Sequence, residues 1–323
     1  MTSPPVPSAA TPHPHDRNAL PLTRYAVLSL LTALLVLALK LLAWRLTGSV
    51  ALLSDALETL TNVGGALMAL LMLRLAAQPP DDEHHYGHDK AEYFSSGFEG
   101  MLIFIAAGLI VFEAAPRLWE PQPLNVPALG LVIAAVAGGL NLATALLLAR
   151  VGRRHDSITL RADAKHLLAD VWTTVGVIVG VALVALTGWL WLDAAMAMAV
   201  AVQVLWTGFR LIRESAAGLM DAAWPENEQA ILQRVLDEFR AVGATGEIDF
   251  HAIRTRSSAS RRFVSFHVLV PGGWSVKRGH DLVEQLEDRL SQELPQVTAF
   301  THLEPSDDPV SYADEGLDRP ARQ

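Results

Sequence analysis

The sequence predicts an α-helical membrane protein with six transmembrane helices followed by a ferredoxin-like α+β domain. Long apolar runs fill Leu20–Leu219, composition after Trp224 is that of a soluble protein, and 51% of residues are hydrophobic against 18% charged. The expected organisation is a disordered tail over 1–20, a membrane domain over 21–219, a cytoplasmic domain over 220–305 and a second disordered tail over 306–323.

Residues 1–20 are rich in Pro and Ser and lack an apolar core, so they read as a solvated tail rather than a secretory signal. His13 and His15 there need no special role. About 30 Å of hydrocarbon needs roughly 20 apolar residues. Segments that meet this lie near Leu22–Leu46, Ser49–Leu75, Phe94–Trp119, Leu124–Ala149, Leu167–Leu186 and Trp189–Ile212. The second is the least apolar, because Asp55, Glu58 and Asn62 interrupt it.

Arg17 and Arg24 precede the first span, Arg74 and Lys90 flank the second loop, and Arg150, Arg153, Arg154 and Arg161 crowd the fourth. Basic residues stay on the cytoplasmic side, so both termini are expected there. Pro116, Pro121, Pro123 and Pro127 are expected to break the chain outside, and Trp119, Trp189 and Trp191 to mark the outer interface.

After Pro225, Glu226–Arg240 and Ser275–Leu294 have helical spacing. Ile248–Thr255 and Phe263–Val270 alternate as strands around the polar turn RSSASR, and Val297–Leu303 makes a last strand. The order α-β-β-α-β suits two helices on one sheet face.

The net charge of −9 and the lack of a basic stripe exclude a nucleic-acid partner. With no cysteine, a metal must bind through His, Asp, Glu, Asn or water. No Walker loop is present to use ATP, and no organic cofactor is implied.

His166 and Asp170 stand four residues apart and share a helix face, a ligand pair for a divalent ion. Asp55, Glu58 and Asn62 at i, i+3 and i+7 share a face of the second span, and must turn from lipid. Two such faces supply four ligands. The loop QPPDDEHHYGHDKAE holds Asp81, His84 and His88, a triplet if the segment is helical or if a turn converges it. The C-terminal domain carries His251, His267, His280, His302 and Glu304 across neighbouring elements.

From about Arg24 to Pro305 these motifs, with TGSVALLSDALETLTN, RADAKHLLAD and FHAIRTR…FVSFHVLV…RGHDLVEQLE…FTHLEP, resemble the cation diffusion facilitator family, above all its bacterial zinc/iron–proton antiporters. The resemblance implies a homodimer in the inner membrane whose transport site is Glu58, Asn62, His166 and Asp170. It implies a loop site at Asp81, His84 and His88, and a binuclear site at His251, His267, His280 and His302, with Glu304 where Asp is commoner. It also implies an interlocking salt bridge between Lys90 and Asp221.

The second span departs from the family pattern, with Glu58 and Asn62 where His or Asp is usual. Oxygen donors favour harder ions such as Mn²⁺ and Fe²⁺ over Zn²⁺. Asp55 could act as an auxiliary ligand. The function implied is efflux of cytoplasmic Zn²⁺, Mn²⁺ or Fe²⁺ against protons, a secondary transporter rather than an enzyme. The alternatives are a membrane-bound metal sensor without transport and an intramembrane metalloenzyme.

Overall fold

A computed structural model describes residues 16–47, 50–120, 128–242, 247–294, 296–313 and 316; within the helices, the side chains of 50–58 are among those it leaves out. The chain divides after Ala216 into two units.

The first unit holds α1 (Asp16–Thr47), α2 (Val50–Ala76), α3 (Ala91–Trp119), α4 (Ala128–Arg154), α5 (Ile158–Thr187) and most of α6 (Trp191–Leu219). Among the described residues, five of these helices are long and apolar enough to cross a membrane, and α2 adds the shorter apolar stretch Asn62–Ala76. Helix α1 starts at Asp16, inside the segment expected to be a tail. Pro116 falls inside α3 rather than beyond it, in the last turn, where few backbone bonds are left to lose. Pro121, Pro123 and Pro127 lie outside the described residues, as do His13 and His15.

Helix α5 organises this unit. It starts nine residues before the expected span, because Ser157 caps it: the Ser157 hydroxyl accepts from the Leu160 N–H. Glu92 of α3 strengthens the start. Its Oε2 accepts from Ser157 Oγ at 2.5 Å and from the Thr159 N–H at 3.0 Å, a carboxylate held at the positive end of a helix. The left-handed Gly188 (φ 73°) closes the other end.

One face of α5 gives Leu160, Ala164 and Leu167 to a core shared with α1, α2 and α4. Another gives Ala162 and Ala169 to a core shared with α3 and α6. At about 100° per residue, Asp163, His166 and Asp170 fall on the strip between these faces. The polar residues are thereby directed between helices instead of at lipid.

The second unit contains α7 (Glu226–Val242), β1 (Asp249–Ser258), β2 (Arg261–Val270), α8 (Val276–Glu293) and β3 (Val297–Pro305). The sheet order is β1-β2-β3, antiparallel then parallel. Val264, Phe266, Val268 and Val270 of β2 pack with Leu232, Val235 and Leu236 of α7 and Leu286 and Leu290 of α8. Strand alternation sends Ser265 and His267 to the opposite face.

The hairpin is tighter than the six-residue turn expected. Pairing continues to Ser258–Arg261, leaving Ala259 and Ser260 as the loop, with Ala259 in the left-handed region (φ 50°) that such turns need. Beyond β3, where a tail was expected, Pro309–Tyr312 forms a 3₁₀ turn capped by Asp308 and tied back by the Ser311 hydroxyl to the Pro305 carbonyl.

Glu92→Ala should lower the stability of the membrane unit by about 1.5–3 kcal/mol, the range for charge-assisted hydrogen bonds lost from a buried site. A fall in apparent Tm in detergent, larger than that of Glu92→Gln, checks this.

Candidate metal-binding sites

Inside the membrane unit, α2, α3, α4 and α5 bring a continuous polar chain together. His166, buried, places Nε2 2.8 Å from the Asn62 side-chain oxygen. The Asn62 amide nitrogen donates to Asp170 Oδ2, which also accepts from the Asn141 amide at 3.3 Å. This network fixes the amide orientation: turning Asn62 over would set its oxygen against the Asp170 carboxylate.

The opposite ring nitrogen, Nδ1, lies 2.9 Å from Oε2 of Glu99, a fully buried residue of α3. Both imidazole nitrogens thus face oxygens, an amide oxygen hydrogen-bonded at Nε2 and a carboxyl oxygen close to Nδ1.

Asn62, Asn141, His166 and Asp170 line a cavity of about 60 Å³ with Lys40 and Thr59. The Lys40 ammonium donates to the Thr59 hydroxyl at 2.8 Å. Thr173 and Thr174 also line the cavity, and the Asp170 carbonyl accepts their hydroxyls at 2.8 Å and 2.9 Å. The expected ligands Asn62, His166 and Asp170 therefore meet. The side chains of Glu58 and Asp55 lie outside the described residues.

Glu99, Asn141 and the buried Asp163 were missed by sequence reasoning. Glu99 and Asn141 each stand in an apolar run and Asp163 in the charged start of α5; a polar group inside a span was the available signal for the first two.

In the loop before α3, Asp81, His84 and His88 offer ligand atoms within 4.8 Å of one another. The segment is a turn and not a helix, since Pro79 and Pro80 lack the N–H groups a helix needs and Gly87 (φ 83°) reverses the chain. Convergence comes from Asp81, whose Oδ1 accepts from the N–H groups of Glu83 at 3.0 Å and His84 at 2.7 Å. That leaves Oδ2 3.4 Å from Nε2 of His88, and the two imidazoles 4.5 Å apart. The His84 backbone N–H, with a smaller share from that of Glu83, holds the Asp81 carboxyl below its usual range.

On the sheet face opposite α7 and α8, His251 pairs across from His267, and His267 from His302. Glu304, buried, accepts at Oε2 from His251 Nε2 and His267 Nδ1, each 3.0 Å away. An extra residue in β1 between His251 and Arg254, with Ala252 at φ 51°, makes a bulge beside this cluster.

His302 reaches Glu304 Oε1 at 3.4 Å but is largely exposed. His280 sits on α8, exposed, 3.9 Å from Glu284, and is not among the three residues whose ligand atoms converge. Lys90 immediately precedes α3, while Asp221 follows α6 and lies 3.6 Å from Arg256.

Comparison with known proteins gives consistent matches along the chain. Residues 26–220 match the family described as the cation efflux transmembrane domain, and residues 228–306 that of the cation efflux protein, cytoplasmic domain. The uncharacterized transporter sll1263 of Synechocystis sp. is 50% identical over 288 residues, covering 89% of this chain and 92% of that protein. The cation-efflux pump FieF of Cronobacter sakazakii is 30% identical over 298 residues (90% and 95%), and that of Citrobacter koseri 29% over 283 (88% and 92%).

A carboxyl held below its usual range in the folded loop contributes stability above the ordinary carboxyl range and loses it as pH falls through the lowered value. The protection of the Glu83 and His84 amides, measured against their intrinsic exchange rates, should therefore persist through the ordinary range and fall only below it. In Asp81→Ala both amides should lack that protection at every pH.

Proposed function

The chain belongs to the cation efflux family, the cation diffusion facilitators, and from that premise we propose that it exports cytoplasmic Zn²⁺, Mn²⁺ or Fe²⁺ in exchange for protons by alternating access. The observation that carries the reading is the polar chain Glu99–His166–Asn62–Asp170–Asn141 around a cavity between transmembrane helices. Buried polar groups of this kind are costly in a membrane and mark ion pathways.

The transport ligands are Glu58, Asn62, His166 and Asp170, with Asp55 as an auxiliary carboxylate. His166 faces an acceptor at each nitrogen, an arrangement that suits a ring carrying both protons. An ion taking the lone pair at Nε2 requires that proton to leave, so metal and proton compete for one atom. Protons arriving from outside release the ion, and rocking of the helices returns the loaded site inward.

One nitrogen among oxygen donors suits harder first-row ions at least as well as zinc. Asp81, His84 and His88, with the cytoplasmic-domain set of His251, His267, His280, His302 and Glu304, would gather metal on the cytoplasmic side. The protein would work as a homodimer, locked by Lys90 and Asp221, with both termini in the cytoplasm.

Reconstituted in liposomes with a metal-sensitive dye and an imposed pH gradient, the protein should move these ions. His166→Ala or Asp170→Ala should cut the flux at least about a hundredfold, beyond the loss typical of groups behind a ligand. Flux indifferent to both substitutions removes the proposed site, and flux indifferent to the gradient removes proton exchange. Across Zn²⁺, Mn²⁺, Fe²⁺, Co²⁺ and Cd²⁺, Mn²⁺ and Fe²⁺ should be carried at least as well as Zn²⁺; a strong zinc preference overturns the reading of the oxygen donors.

A further inference from the structure

We propose that Glu99 is a positioning residue of the transport site: from behind the imidazole it holds the Nδ1 side of His166 so that Nε2 is the atom presented to the ion. The inference rests on the reading of His166 as a transport ligand.

Glu99 is 0% exposed on α3 and is absent from the cavity lining, whereas His166 is part of it. The imidazole therefore separates the carboxylate from the cavity. Its Nδ1 is 2.9 Å from Glu99 Oε2, although the N–H is not directed along that line, and no described donor is aligned on either Glu99 oxygen. A buried carboxylate without an aligned donor is expensive to keep. Room for it has been made on α2, where a Cβ at Gly65 would lie 2.6 Å from Glu99 Oε1.

Gly65 follows Asn62 by three residues, so one face of α2 meets the ring at Asn62 and the carboxylate behind the ring at Gly65. Asn62 offers Nε2 a neutral amide oxygen, while Glu99 offers Nδ1 a carboxylate. Hydrogen bonds to ionised acceptors are roughly twice as strong as neutral ones. With the proton of a neutral ring on Nδ1, beside the carboxyl group, the Nε2 lone pair is left for the cavity. A carboxylate behind a ligating histidine sets ring orientation and raises its donor strength.

The test uses the full chain in nanodiscs, with His84→Ala, His88→Ala, His251→Ala and His267→Ala as background so that Zn²⁺ binding reports the transport site. Glu99→Met should weaken Zn²⁺ binding about 10–100-fold, with Glu99→Gln, which keeps an acceptor, in between. The deciding readout is ¹⁵N imidazole NMR without metal at alkaline pH, the His166 signal being assigned by its loss in His166→Asn. The background protein should show the proton on Nδ1, and Glu99→Met should shift it toward Nε2. An unchanged tautomer, or Zn²⁺ affinity unchanged in both variants, overturns the proposal. A background protein that binds no Zn²⁺ overturns the transport-site reading instead, and the tautomer still decides the role of Glu99.

Discussion

His166 is gripped from both sides, by a carboxylate on one helix and an amide on another, and the membrane unit is arranged to permit that grip. An imidazole among hydrocarbon is tolerable only when its nitrogens meet oxygens, and no single helix can supply both. Helix α5 solves the problem by rotation. Its two apolar faces pack into separate cores, leaving the polar strip between them to meet Asn62 from α2, Glu99 from α3 and Asn141 from α4. The cap at Ser157, braced by Glu92, fixes where α5 begins and hence which residues fall on that strip.

The soluble unit divides its labour in another way. A sheet has two faces, and covering one with α7 and α8 builds the hydrophobic core. The opposite face collects His251, His267 and His302 in a row across three strands, with Glu304 beneath them. Cross-strand register alone creates this cluster, so the same pairing that stabilises the sheet assembles the donors.

Much of this was legible in the sequence because period and spacing are local. The apolar runs, the i, i+4 pair His166 and Asp170 and the α-β-β-α-β order all follow from residues close together in the chain. Glu99 and Asn141 were not legible in that way. A lone acid or amide in an apolar run announces a partner without saying which helix holds it.

The RSSASR segment misled for a different reason. Polarity reads as loop, yet Ser257 and Ser258 pair with Arg262 and Arg261 and continue the strand, one on each face of the sheet. The loop triplet was recognised as a set, but its geometry was not, since it depends on Asp81 folding the backbone over its own carboxylate.

One detail of α5 bears on motion. Thr173 and Thr174 both spend their hydroxyls on the Asp170 carbonyl, and such back-bonding loosens the helical ladder and favours a bend. The rod is thus more pliable beside the polar cavity than at its capped end. In the alternating-access cycle proposed above, such a joint would let the cavity flex without unpacking either core.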